Sequence, residues 1–167
     1  PATPTGAILF PLVVRGEPVL ALTDIPLMDM QLSAVAGGPV MLNGDALPPV
    51  NSRTASAWQV GVGSVGSDDR QRFPARMRLG LVGALAETEL RPRISGSVGV
   101  DLAFVAQGIY QAAVSFSPHI WDNAAGVCLA RCAGARVTDA VGKPWHMRSV
   151  GALLCTPEAH ARTLSTM

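Results

Sequence analysis

Charge is scarce in this chain. Of its 167 residues only 15% are Asp, Glu, Lys or Arg, against 49% hydrophobic, and the formal net charge is +1. So even a balance excludes a protein held to nucleic acid by bulk electrostatics. Long apolar runs are also missing. Pro, Gly and polar residues interrupt each stretch short of the roughly 18 residues that a membrane span needs, so no membrane partner is expected. The opening residues Pro1-Ala2-Thr3-Pro4-Thr5-Gly6 combine no basic region with an apolar core, which argues against a secretory leader. Cysteine is limited to Cys128, Cys132 and Cys155, an odd number. Cys128 and Cys132 share a helical face, but no His or Cys cluster completes a metal-ligand set, so reduced, buried thiols in a cytoplasmic protein are expected. With so little surface charge, part of the apolar excess is expected to form an interface with another chain.

What is present divides in two. Residues 7–14 and 18–25 are β-prone runs separated by Arg15-Gly16-Glu17, which predicts a hairpin. Residues 29–35 supply a third strand, and Val40-Met41-Leu42 a fourth that ends at the turn dipeptide Asn43-Gly44. The first 45 residues therefore read as an antiparallel meander. Pro48-Pro49-Val50-Asn51-Ser52 reads as a linker or strand edge. Beyond it, strands and helices alternate, and the fold class is α/β with a packed sheet. Residues 57–63 suit a strand, with Gly61, Gly63 and Gly66 around Ser64 in a loop. From Gln71 to Glu89, Phe73, Met77, Leu81 and Leu85 fall at helical spacing with Arg on the other side. A short strand near Arg93-Ile94 precedes a helix over 99–108, with Val100, Ala103 and Phe104 on its inner face and Gly108 as its stop. Strands follow at 111–115, 136–139 and 151–155, with a helix over 122–132 stopped by Gly134 and a last helix opened by Thr156-Pro157.

The chemistry concentrates in Gly96-Ser97-Val98-Gly99-Val100-Asp101-Leu102 and, downstream, in Trp121-Asp122-Asn123-Ala124-Ala125-Gly126. A carboxylate behind an aromatic at the start of a helix is well placed to meet a metal or a phosphate. These residues, with Val105-Ala106 and Gly108 and the run Cys132-Ala133-Gly134-Ala135-Arg136-Val137-Thr138-Asp139, resemble the inositol monophosphatase superfamily. The likeness extends upstream to Gly16-Glu17-Pro18-Val19 and to the run Gly37 to Gly44. It implies a layered fold: residues 1–50 would be a meander left from the family's N-terminal domain, and residues 51–167 an α/β sandwich like its C-terminal domain. It implies Mg²⁺-dependent hydrolysis of inositol or sugar phosphates. Asp122 would be the metal ligand and would position the water, and Gly96, Ser97 and Val98 would approach the substrate hydroxyls.

The departures from the pattern carry their own expectations. The family's upstream Glu and its Asp-Pro-x-Asp-Gly-Thr motif do not occur in this sequence, which begins where the strand after that motif would begin. Ser115 stands where many members place a substrate-contacting Glu. Asp24, Asp29, Asp45, Asp68 and Asp69 lack paired spacing, and His119 near Asp122 reads as a surface or packing residue as readily as a participant. One carboxylate does not gather Mg²⁺ ions, which take several oxygen ligands each. The expectation is a truncated phosphatase-like chain with little activity alone. The alternatives are a non-catalytic ligand- or protein-binding module, and a plain α/β domain in which Asp122 is only an N-cap. Without the helices that cover one face of the meander in the family, a homodimer or a partner chain is expected on that face.

Overall fold

The structure is a computed structural model that describes residues 6–50, 58–65 and 72–167. Gly66, Asp68, Asp69, Arg70, Gln71, Asn51, Ser52 and the opening Pro1–Thr5, which entered the sequence reading, lie outside the described residues.

The expected meander is there. Strands β1 (Ile8–Val14), β2 (Glu17–Ile25), β3 (Met30–Val35), β4 (Met41–Leu42) and β5 (Asp45–Ala46) form one sheet in sequence order, each antiparallel to the next. Its turns use the residues that accept positive φ: Arg15 and Gly16 at 52° and 84°, and Asn43 and Gly44 at 51° and 92°. Positive φ at both central residues matches the twist of a tight hairpin.

A second sheet has the order β7-β6-β8-β10-β9. It comprises β6 (Trp58–Val62), β7 (Leu90–Arg93), β8 (Ala112–Ser115), β9 (Arg136–Thr138) and β10 (Ala152–Cys155). Strand β6 lies parallel to β7 on one side and to β8 on the other, while β10 is antiparallel to both β8 and β9. Crossovers between parallel strands need helices. Helix α1 (Ala75–Ala86) joins β6 to β7, and α2 (Val98–Ala106) joins β7 to β8. Because these two crossovers move in opposite directions along the sheet, one handedness rule places their helices on opposite faces.

The cores confirm that layering. Val60, Val62, Val114, Leu153 and Cys155 point toward Leu81 and Leu85 of α1 and Ala159 of α4 (Pro157–Thr166). The alternate residues Ala113, Ala152 and Leu154 meet Leu102 and Val105 of α2 and Ala124 and Val127 of α3 (Ile120–Cys132). The other side of the α2–α3 layer takes Ala21, Ile25, Leu32 and Ala34 of the meander against Val100, Ala103, Ala125 and Leu129. Two helices are thus buried on both sides, between two sheets. Small residues make this possible: a Cβ on Gly126 would lie 2.5 Å from Leu102 of α2, and one on Gly99 would lie 2.8 Å from Leu9 of β1.

Three expectations need correction. The helix expected over 71–89 begins at Ala75, because Pro74 has extended backbone (ψ 160°) at its N-cap. Met77 is half-exposed rather than on the inner face, whereas Arg78, expected outside, is buried. Its Nε donates to the Phe73 carbonyl (2.8 Å), its Nη1 to the Ser64 carbonyl (2.6 Å), and its guanidinium lies 5.1 Å from the Phe116 ring. A guanidinium with carbonyl acceptors and an aromatic face is tolerated where a hydrophobic pattern has no place for it. The strand near Arg93-Ile94 is Leu90–Arg93.

The close approach of α2 and α3 gives a direct test. Gly126→Ala should cost about 1–3 kcal/mol in chemical denaturation, because its methyl meets Leu102 Cβ with no room to move. Gly80→Ala on α1, where an added Cβ meets nothing within 4 Å, should gain up to about 1 kcal/mol from helix propensity. Equal effects at the two positions would contradict the packing described.

Candidate functional site

Three mutually parallel strands end on the same edge of the second sheet, and each runs into one segment of the site. Strand β6 exits through Gly63 and Ser64, β7 through Ser95-Gly96-Ser97 into α2, and β8 through Phe116–His119 into α3. Ligands in open α/β sheets bind outside the carboxyl ends of strands where connections diverge to either side. Strand β6 is that point, since the chain leaves for β7 on one side and returns to β8 on the other. Strands β7 and β8 flank it, so α2 and α3 both start at this edge, with their positive dipole ends toward it.

The start of α2 is shaped by Gly96, whose φ of +82° turns the chain, and by N-cap Ser97. The Ser97 amide donates to Ser95 Oγ at 3.0 Å, and Ser97 Oγ makes a long 3.5 Å contact with the Val100 amide. The amides of Val98 and Gly99, in the first turn, have no carbonyl four residues back within the helix. Such amides and the helix dipole form an anion site. The start of β1 adjoins this turn, since Ala7 and Leu9 are what a Cβ on Gly99 would meet.

At α3 the structure settles one alternative. The helix begins at Ile120 with His119 as N-cap, so Asp122 is the third helical residue and not the cap. Its Oδ2 accepts a 2.5 Å hydrogen bond from Ser117 Oγ. His119 is exposed, and its ring stacks on Trp121 at 4.5 Å between centroids and 10° between planes. Ser115 is buried, its Oγ accepting from the Ser117 amide at 3.3 Å. Gly96, Ser97, Val98 and Asp122 therefore lie along one edge, on two neighbouring helix starts. Asp24, Asp29 and Asp45 lie in the meander or its turns, and Asp24 pairs with Ile8 at the start of β1.

Two further groups belong to this edge. Ser117 had no distinct signal in the sequence, because a serine five residues before an aspartate matches no standard capping spacing. Asp101 lies in the run Gly96 to Leu102 that the sequence singles out, but without a role of its own there. It sits on α2 with its side chain against Gly61 of β6, only 3% exposed, and its Oδ1 has no hydrogen-bond partner. Burial pushes its carboxyl up to about 6, partly opposed by the Ser95 hydroxyl. The Asp101 charge in turn helps raise the nearby Tyr110 phenol, after burial.

A divalent cation of the Mg²⁺ type takes several oxygen ligands. Among the described residues, no group of three or more His, Cys, Asp or Glu side chains is placed to hold a metal ion. The described residues do not by themselves fit such a cation. The thiols do not supply one either. Cys128 and Cys155 are buried and pushed up to about 12, chiefly by that burial, and Cys132 is half-buried, donating to the Val35 carbonyl.

The buried Asp101 carboxyl makes stability pH-dependent with a definite sign. Its folded pKa, about 6, lies above the ordinary 3.8, so the folded protein holds its proton longer than the unfolded chain does. The cost of burying the charge is absent below pH 4, grows as pH rises, and is complete above pH 6. Asp101→Asn should therefore raise stability by roughly 1–3 kcal/mol at pH 7.5 and leave it nearly unchanged at pH 4. Urea denaturation at the two pH values reads this, and a pH-independent difference would refute it.

Over residues 2–167 the sequence matches the model of the inositol monophosphatase family. A Mycobacterium tuberculosis relative named "Probable inositol 1-monophosphatase ImpA" is 44% identical over 165 residues, covering 99% of this chain and 61% of the relative. The Mycolicibacterium smegmatis inositol-1-monophosphatase ImpA is 43% identical over 162 residues, covering 97% and 59%. Among solved structures, a Thermotoga maritima IMPase superposes with a TM-score of 0.80 at 23% identity, covering 96% of this chain and 59% of that one. The chain thus spans about three fifths of the length of these curated relatives. Two sheets enclosing a helical layer, the glycine–serine start of α2 and the tryptophan–aspartate start of α3 agree with that match, and the chain belongs to the inositol monophosphatase family.

Proposed function

We propose that this chain forms the anion-anchoring part of a Mg²⁺-dependent phosphomonoesterase for inositol or related sugar phosphates, with the remaining cation ligands supplied from outside the described residues. The observation that carries the reading is the shared edge of Asp122 and the first turn of α2. The family is generally metal-dependent, and the two ImpA relatives are named for inositol monophosphate. The Val98 and Gly99 amides would donate to phosphate oxygens, Gly96 and Ser97 would let the sugar hydroxyls approach the backbone, and Asp122 would contribute one carboxylate. The incomplete ligand set favours the second reading, a module that binds a phosphorylated ligand without turning it over.

Inositol monophosphate should shift the amide resonances of Gly96–Gly99 at millimolar concentration. Phosphate release by the chain alone with Mg²⁺ should stay far below an ordinary enzymatic rate. No amide shift would sink the anion-anchoring reading. Ordinary turnover that disappears in Asp122→Asn would instead show that the chain completes its own cation site.

We also propose that another polypeptide, a second copy or a partner chain, covers the outer face of the meander. Its inner face is buried by α2 and α3, yet the outer face is apolar as well. Ile8, Phe10, Leu12, Val14 and Val35 are 47–63% exposed, and Phe10, Leu20, Leu22, Val35 and Met41 line a shallow depression of about 550 Å³. Cross-strand pairing makes this one patch, with Leu12 opposite Leu20, Leu20 opposite Val35, and Phe10 opposite Leu22. A patch this continuous is typical of interfaces. The free edge is less suited to pairing, since Pro11 in the middle of edge strand β1 has no N–H to donate. Light scattering at micromolar concentration should give a dimer or larger species, and Phe10→Lys with Val35→Lys should reduce it to monomer. A monomeric parent protein would overturn self-association on this face.

A further inference from the structure

The start of α3 is capped indirectly. N-cap His119 makes no side-chain cap. Two residues earlier, Ser117 Oγ accepts a hydrogen bond from the His119 amide (3.2 Å) and donates to Asp122 Oδ2 (2.5 Å). In an ordinary capping box the carboxylate at the third helical position reaches the N-cap amide directly. Here a hydroxyl stands between the two.

The inventory of donors fixes the proton. A serine hydroxyl has one proton, and the His119 N–H occupies one of its lone pairs. An ionised carboxylate only accepts, so the proton must lie between Ser117 and Asp122. The short distance is that of a charge-assisted O–H···O⁻ bond. The surrounding loop does not depend on this bond. Asn123 Nδ2 donates to the carbonyls of Ser117 and His119, both at 3.0 Å, and the Ser117 amide donates to Ser115 Oγ. The backbone of 115–119 is therefore held by bonds that survive loss of the Ser117 hydroxyl. That hydroxyl is what orients the carboxylate.

We infer that Ser117 is the positioning residue for Asp122: its hydroxyl ties down Oδ2 and leaves Oδ1 as the acceptor open at the strand-end edge. Among the described residues Asp122 has no other side-chain hydrogen bond that would do this. A carboxylate held by one oxygen keeps one rotamer, so a ligand meeting Oδ1 does not have to order the side chain first. The use of this orientation rests on the proposed reading of Asp122 as a ligand-facing group, but the orientation itself does not.

Side-chain NMR couplings report the χ1 rotamer of Asp122 in the parent protein, Ser117→Ala and Ser117→Thr. One rotamer is expected in the parent and in Ser117→Thr, and averaging over rotamers in Ser117→Ala, where the His119 amide shift moves with the loss of its acceptor while the Asn123 side-chain amide shifts stay little changed. Retention of the single rotamer in Ser117→Ala would overturn the inference, even if that variant were less stable to heat.

Discussion

The contact on which the rest depends is the close approach of α2 and α3, with Gly126 of one against Leu102 of the other. Both helices are covered by a sheet on each side, so neither can shift without opening two cores at once. Bulky side chains at this contact would force the helices apart. Interiors pack near crystalline density and have little slack to absorb such a change. The runs Ala124-Ala125-Gly126 and Gly99 to Ala103 thus act as spacers, and they fix how far apart the two helix starts stand. The separation of the first turn of α2 from Asp122 is set here, one turn further into each helix.

Burial on both faces also explains which parts of the sequence were readable. Meander strands alternate, and their tight turns require residues that accept positive φ, so Arg15-Gly16 and Asn43-Gly44 mark the hairpins. The glycines that close α2 and α3, Gly108 and Gly134, were legible for the same reason. Helices buried all round have no polar face to give a period. Their ends were read from the glycine stops, and their starts were less well marked: a helix expected from Asp122 begins at Ile120. Helix α1 failed differently. Its Leu81 and Leu85 obey the pattern, but Arg78 breaks it by finding carbonyl acceptors in Phe73 and Ser64, both before the helix, and the Phe116 ring on another element. Tertiary partners of that kind leave no local trace. Ser117 is hidden on the same grounds, since its role depends on the path of one loop.

The scarcity of charge is not uniform through the layers. Asp101 is buried in the contact between α2 and β6 with one oxygen unpartnered, a costly placement that the Ser95 hydroxyl only partly offsets. The outer face of the meander shows the opposite imbalance, since apolar side chains stand in solvent where a sheet of an isolated protein normally carries polar ones. An exposed apolar face and a strand-end edge carrying Asp122 occur in the same chain. The start of β1 links them, because Ala7 and Leu9 pack on the first turn of α2 while Ile8 and Phe10 point to the open face. A polypeptide seated on that face therefore reaches the rim of the site along the same strand.

The site divides by the kind of group that makes it. Anion binding at the start of α2 uses main-chain amides and a dipole, both produced by the fold itself once Gly96 makes its turn. It needs no particular side chain and survives wherever the two sheets and the helical layer survive. Cation binding needs carboxylates gathered from several segments, and the described residues offer Asp122 with a hydroxyl to hold it. Backbone-built function is carried by topology, whereas side-chain-built function is carried by individual positions. The first kind needs only the main chain at the start of α2, which this chain supplies. The second kind needs several carboxylates, and at this edge the described residues place Asp122 and its Ser117 partner.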